Sequence, residues 1–306
     1  MTREELNKEK QSEIINEEKR KTRKKIVLTS AKIILFFVVF ATIFYFLNAN
    51  IFTKKIVVKE ERIVNGKIPD SFSGLKIIQF TDLHYGSTIF IEDVKNLVKL
   101  INSRNPDMVI FNGDLITAEY KITNDEKEKL TKALASINAS IGKYAVMGDE
   151  DNDNYSGLMK QANFTLLNNS YDLIYDGEET PIIIMGISSL LTANYNIAEA
   201  YSYFKETNSN SDLYKIVVFH EPDLADYILD EHEADLLLAG HSHNGNIKLP
   251  FVGALKRNYK GAEHYYDEKE YVNGAPLYIS SGIGTNGAGV RFFCQPSFNF
   301  FRLSNK

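Results

Sequence analysis

The chain has 306 residues, 44% hydrophobic and 25% charged, with a formal net charge of −5 at pH 7, the composition of a globular protein with room for a sizeable core. Its single cysteine, Cys294, excludes an intramolecular disulfide, leaves zinc-ribbon and thiol-redox chemistry without material, and reads as a small buried hydrophobe. Positive charge gathers near the amino end and leaves an acidic remainder without a basic patch, so nucleic acid is not expected as the chief partner.

Residues 1–25 are charged, proline-free and without an apolar stripe, which suggests a short disordered or helical tail. From Ile26 to Leu47 the sequence IVLTSAKIILFFVVFATIFYFL is interrupted only by Lys32, and a helix of that length rises about 33 Å, enough to span a bilayer core. Lys19, Arg20, Lys21, Arg23, Lys24 and Lys25 stand just before it. Residues 26–48 therefore read as a transmembrane signal anchor with residues 1–25 cytoplasmic, the remainder outside the plasma membrane, and Lys32 snorkelling at the basic end. A cleaved signal peptide, the alternative, calls for a shorter apolar region and a small-x-small site, for which Asn48-Ala49-Asn50 is a poor candidate.

A domain is expected over residues 55–306, with Lys54 to Gly74 as a strand and turn leading into it. Val94, Leu97, Val98 and Ile101 are spaced for a helix over Asp93–Ser103, which Asn105-Pro106 stops before a strand at Met108, a βαβ unit. Further helices fit Asn124–Ile137 and Asp223–Glu231, the second opened by Pro222. Pro181–Gly186 reads as a buried strand, Glu206–Asp212 as a polar loop, and Tyr271–Ile279 carries an Asn273-Gly274 hairpin signal, after which Phe298–Leu303 is expected to close the sheet.

Five apolar runs end in metal-ligand side chains: Ile77 to Asp82 and His84, Met108 to Asp114, Tyr144 to Asp149-Glu150-Asp151, Ile216 to His220, and Leu236 to His241 and His243. Buried parallel strands read as continuous apolar runs, and in open α/β sheets reactive groups gather beyond the strands' carboxyl ends, so the five point at one rim. Side chains at i and i+2 of an extended segment share a side, which would let Asp82 and His84, or His241 and His243, hold an ion between them. Imidazole and carboxylate without thiolate suit Mn²⁺, Fe²⁺, Zn²⁺, Co²⁺ or Ni²⁺, and three carboxylates with four imidazoles exceed what one ion needs, so two divalent metal ions are expected.

The series Asp82-x-His84, Gly113-Asp114, Gly148-Asp149-Glu150-Asp151, His220 and Gly240-His241-x-His243 resembles the calcineurin-like metallophosphoesterase superfamily. FTDLHYG (80–86), PDMVIFNGDLI (106–116), FHEPDLAD (219–226), DLLLAGHSHNGNIKLP (235–250) and LYISSGIG (277–284) look like its membrane-associated bacterial phosphodiesterase branch. The resemblance implies an α/β fold, a four-layer α/β/β/α sandwich, with Asp82, His84, Asp114 and His243 on one metal, Asp114, Asp149, His220 and His241 on the other, and Asp114 bridging. Two such ions share a hydroxide as nucleophile and clamp the phosphoryl oxygens.

Where the family usually has Gly-Asn-His, this chain has Gly148-Asp149-Glu150. Asp149 would bring the ligand charge to about −3 against about +4 from two divalent ions, binding metal more tightly while polarising phosphate less, which favours diesters or phosphoanhydrides over monoesters. Glu150 replaces a histidine thought to assist the leaving group; Asp149 and Asp151 beside it would raise its pKa and suit it to general acid catalysis, a solvated supporting role being the alternative. The expected function is thus a phosphodiesterase or pyrophosphatase acting on a membrane- or wall-associated phosphate ester, possibly lipid-linked; a degenerate, metal-binding but non-catalytic receptor or scaffold is the competing reading. His232 and His264 are not assigned to the metals, and Asn112 reads as a turn cap. Gly282 to Gly289 reads as a flexible rim loop rather than a nucleotide cradle, since no helix follows it. Arg291 reads as a surface arginine, with contact to substrate phosphate as the alternative.

Overall fold

The computed structural model describes residues 3–47, 54–177, 180–207, 212–249, 251, 253–254, 259–285 and 291–306. It divides into two units, Met1–Leu47 and Asn48–Lys306. In the first, a single helix, α1 (Arg3–Leu47), runs from the charged tail through the apolar segment without a break, the helical one of the two states open to the tail. Its stretch Glu13–Leu47 is long and apolar enough to cross a membrane, by length and composition. The cleavage-site candidate Asn48-Ala49-Asn50 lies outside the described residues.

The second unit contains two six-stranded sheets. The strands of the first are β1 (Val57–Val64), β2 (Lys76–Phe80), β3 (Met108–Phe111), β4 (Gly142–Ala145), β5 (Thr165–Leu166) and β14 (Ser297–Ser304), in the order β1-β14-β2-β3-β4-β5. The second has β6 (Ser170–Ile174), β7 (Ile182–Gly186), β8 (Lys215–Val218), β9 (Leu236–Ala239), β12 (Lys269–Val272) and β13 (Ala275–Ile279), in the order β12-β13-β9-β8-β7-β6. A small hairpin pairs β10 (Lys248–Leu249) with β11 (Gly253–Ala254). Pairing is parallel through β2, β3, β4 and β5 and through β7, β8, β9 and β13.

Alternation along the strands assigns the layers. Ile77, Met108, Ile110, Ile216, Val218, Leu236 and Leu238 pack together between the two sheets. Ile78, Val109 and Phe111 face outward from the first sheet onto α2 (Ile91–Asn102), α3 (Asn124–Ala135) and α4 (Asp153–Gln161). Val217, Leu237 and Ile279 face outward from the second onto α5 (Ile197–Ala200), α6 (Ser202–Glu206) and α7 (Leu224–Glu231). The fold is therefore an α/β/β/α sandwich, and because both faces of each sheet are buried the central strands need apolar residues at every position rather than at alternate ones. Each such side chain contributes about 1.5–3 kcal/mol.

Three expectations shift in detail. Helix α3 opens on a capping box, Thr123 with Glu126, and stops at Ala135, although Ile137 beyond it is still buried. Helix α7 begins at Leu224 because the carboxylate of Asp223 accepts instead the backbone N–H groups of Glu263, His264 and Tyr265, pinning a later loop. Strand β14 does not close a sheet edge: it lies inside the first sheet, parallel to β1 and antiparallel to β2. Its Asn299 donates to Gln79 Oε1 at 2.8 Å, and Gln79 donates across to Ala239 O of the second sheet at 2.8 Å, a polar stitch through the apolar middle layer.

Candidate metal centre

Beyond the carboxyl ends of β2, β3, β4, β8 and β9 the structure brings all seven expected side chains together. Asp114, Asp149, His220 and His241 form one group whose ligand atoms lie within 4.8 Å of one another; Asp82, His84 and His243 form a second, and His84, Asp114 and Glu150 a third. One oxygen, Asp114 Oδ2, lies between the first two, 3.2 Å from His220 Nε2 and 3.6 Å from His84 Nε2. Asp149 Oδ1 is 3.1 Å from His241 Nδ1 and 3.3 Å from His220 Nε2. Asp82 Oδ1 is 3.4 Å from His243 Nε2 and 3.7 Å from His84 Nε2, and those two ring nitrogens face each other at 3.1 Å.

The ligand turns are not extended. Asp82, His84, Asp114, His241 and His243 have φ of 51°, 41°, 59°, 65° and 47°, in the left-handed region that costs non-glycine residues about 1–3 kcal/mol each. The i, i+2 argument for Asp82 with His84 and His241 with His243 is thereby corrected: Asp82 meets His84 because the chain curls after the strand, not because a strand alternates, and His241 and His243 do not share a group but join Asp149 and Asp82 respectively. Asp82 Oδ2 holds two of these turns together by accepting the His241 N–H at 3.0 Å.

The chemistry of the donor set fits divalent cations. Oδ1 of Asp82 and Oδ1 of Asp149 are buried without a hydrogen bond, a costly state for a carboxylate unless a cation faces it. His220 Nδ1 donates to Asn112 O at 2.6 Å and His241 Nε2 to Lys260 O at 2.8 Å. Each ring therefore turns its other nitrogen toward Asp149, which against burial helps raise the pKa of both rings, and a backbone carbonyl fixing one nitrogen in this way is how metal-binding imidazoles are commonly oriented.

Charge is tightly balanced in this pocket. Burial opposes ionisation of Asp82, but the rings of His243, His84 and His220 outweigh it and hold the carboxyl well below its ordinary range. Burial likewise opposes charge on His84, yet Asp82, Glu150 and Asp114 push it up to about 10. For His243 burial outweighs Asp82, with His84 and Arg291 adding to it, and shifts this ring below its ordinary value. The expected upward shift of Glu150 is reversed. Burial raises it, but the His84 ring, 3.4 Å from Oε2, and the Ala118 N–H outweigh burial and the charge of Asp149. Asp151 is the carboxyl that rises, to about 7, through burial and then the charge of Asp114.

A pH dependence follows. With its pKa raised from 6.5 to about 10, His84 stabilises the metal-free fold fully below the ordinary histidine value, and that contribution is lost as pH climbs toward its folded value. A cation held by His84 would have to displace that proton, so its binding would strengthen as pH rises. Thermal melts of chelator-treated and Mn²⁺-treated protein are expected to diverge progressively between about pH 6.5 and about pH 9.5; a Tm difference independent of pH contradicts this.

Sequence reasoning missed three supports. Asn112 is no turn cap: its side chain crosses between the sheets, donating to Phe219 O at 2.9 Å and Leu238 O at 2.8 Å, and the signal was a polar residue ending a wholly apolar run. Asp151 accepts the N–H groups of Asp114, Leu115 and Gly148, each at 2.9 Å, clamping the loops after β3 and β4 together. Gly113, with φ 98°, packs so closely on Gly148 that a Cβ there would lie 2.3 Å from the Gly148 nitrogen. His232 stacks on Tyr201 and His264 lies beside Asp226.

The description of calcineurin-like phosphoesterases matches residues 75–245, the stretch from β2 through His243. The chain belongs to this family. Metal-dependent hydrolysis of a phosphoester is the activity class that goes with it. Among relatives of this calcineurin-like phosphoesterase, the uncharacterised metallophosphoesterase YkuE of Bacillus subtilis is 30% identical over 252 residues, 80% of this chain and 85% of YkuE. The UDP-2,3-diacylglucosamine pyrophosphatase LpxG of Chlamydia muridarum is 24% identical, over 77% of this chain and 86% of its own. Phosphodiesterase YaeI of Escherichia coli is 23% identical, over 76% and 84%.

Proposed function

We propose that this phosphohydrolase holds two divalent cations, one on Asp82, His84, His243 and Asp114, the other on Asp114, Asp149, His220 and His241, and cleaves phosphodiesters or phosphoanhydrides at a membrane. The observation that carries the reading is Asp114 Oδ2 lying between His84 and His220, the two sides of the cluster. Once bound, a pair of such ions orients and polarises a phosphoryl group for in-line displacement. The chain's own contribution is position: carbonyls of Asn112 and Lys260 aim His220 and His241, and Asp82 ties its turn to that of His241.

Three carboxylates leave the loaded centre with little spare positive charge, a condition that disfavours dianionic monoesters. The pyrophosphatase and phosphodiesterase activities named for two relatives are in keeping with that preference. The helix α1, with six basic residues in 19–25 ahead of its apolar part, supports a single-pass anchor with the domain outside the plasma membrane, where lipid-linked or wall phosphates are in reach. With Mn²⁺ as the assay ion, kcat/KM is expected to be higher on bis(p-nitrophenyl) phosphate than on p-nitrophenyl phosphate; the reverse order contradicts the diester reading.

Glu150 belongs to this machinery through His84. Its carboxyl, held below its ordinary range, is ionised at neutral pH and lies on the His84 Nδ1 side, so it orients that ring rather than protonating a leaving group. Glu150→Gln is expected to lower kcat/KM by about 10-fold alike for good and poor leaving groups. A loss confined to poor leaving groups restores the general-acid role.

A further inference from the structure

Arg291 is no surface residue. It is 1% exposed and among the largest fully buried side chains. Its Nη2 donates to Gly282 O at 3.2 Å and Gly284 O at 2.5 Å and lies 3.3 Å from His243 Nδ1; Cys294, which Nη1 approaches at 4.0 Å, donates in turn to His243 O at 3.2 Å. Burying a guanidinium is costly unless its donors are used, and here Nη2 is turned on one loop and one imidazole.

That loop, the described part of the expected flexible rim, is packed rather than free: residues 281–285 are buried, while 286–289 lie outside the described residues. Gly284 N donates to Asp82 O at 2.8 Å and Ile283 N to Thr81 O at 3.1 Å. A Cβ on Gly282 would lie 2.8 Å from Asp82 Cβ and 3.1 Å from His243 Nδ1, and one on Gly284 would lie 3.1 Å from His84 Cβ. The loop thus touches Asp82, His84 and His243, the three side chains that belong to one half of the centre only.

We infer that Arg291 is a positioning residue for that half: it locks the 281–285 loop against the Asp82–His84 turn and His243, and so sets the affinity of one metal position and not the other. The inference rests on the two-ion reading above.

The test is calorimetric titration of full-length, detergent-solubilised protein with Mn²⁺ at fixed pH, alongside chelated-state melts. Wild type is expected to bind two ions; a chain that takes up none overturns the two-ion reading itself, separately from the role of Arg291. Arg291→Gln is expected to keep one ion within about twofold of its wild-type affinity and to weaken the other by about 10- to 100-fold. Arg291→Lys, which keeps the charge but loses the fork, is expected to fall between. Adding His241→Ala to Arg291→Gln is expected to weaken the ion that remains. Equal weakening of both positions, no weakening of either, or loss of the folding transition in both single variants overturns the assignment.

Discussion

Replacing Asp114 with asparagine is expected to lower kcat/KM on bis(p-nitrophenyl) phosphate by about 10³-fold, the equivalent of about 4 kcal/mol in the transition state. Asp114 Oδ1 accepts the Glu150 N–H at 3.0 Å, and Oδ2 lies between His220 and His84. Asparagine keeps an oxygen for the first contact and sets an amide, which carries no charge and offers donors, where the second oxygen was. The chain should still fold, because the Asp151 clamp uses the backbone N–H of Asp114 and not its side chain. Activity within tenfold of wild type would mean that this oxygen is not shared between two cations.

Gly148→Ala is expected to damage both halves of the centre at once, weakening Mn²⁺ at each position by at least about 10-fold and destabilising the fold by about 1–3 kcal/mol. A Cβ at residue 148 would lie 2.2 Å from Asp114 Oδ1 and 2.7 Å from the Asp114 nitrogen. Backbone cannot swing aside as a side chain can, and Asp151 binds both loops from behind. Calorimetry against wild type checks the affinities and a thermal melt the stability; unchanged Mn²⁺ binding contradicts the account of how the two loops meet.

The strands that bear the site were legible because a parallel strand buried on both faces has no polar alternation to blur its run, and each of the five runs stops where chemistry begins. Which seven side chains gather at the rim followed from side-chain type and order. Their geometry did not, since the positive φ values at Asp82, Asp114 and His241 arise from loops pressed against one another, a tertiary effect that no local spacing encodes. The same limit hid Asp151, whose role depends on three N–H groups from two loops, and Arg291, whose burial depends on its own neighbouring loop folding back onto Asp82 and His243. Strand β14 was legible as a strand, yet its place between β1 and β2 is set by the Asn299–Gln79 contact and the pairing on both sides. Asn112, which reads locally as a turn cap, and Gln79 do carry a signal of another kind: a polar residue inside a wholly apolar run needs a buried partner.

The account depends on two cations sharing Asp114. Anomalous scattering from crystals of the protein grown with Mn²⁺ tests this most directly. Two peaks about 3.5–4 Å apart, one within bonding distance of Asp82 and His243, the other of Asp149 and His241, with Asp114 touching both, are predicted. A single peak, or a pair that Asp114 does not join, contradicts it.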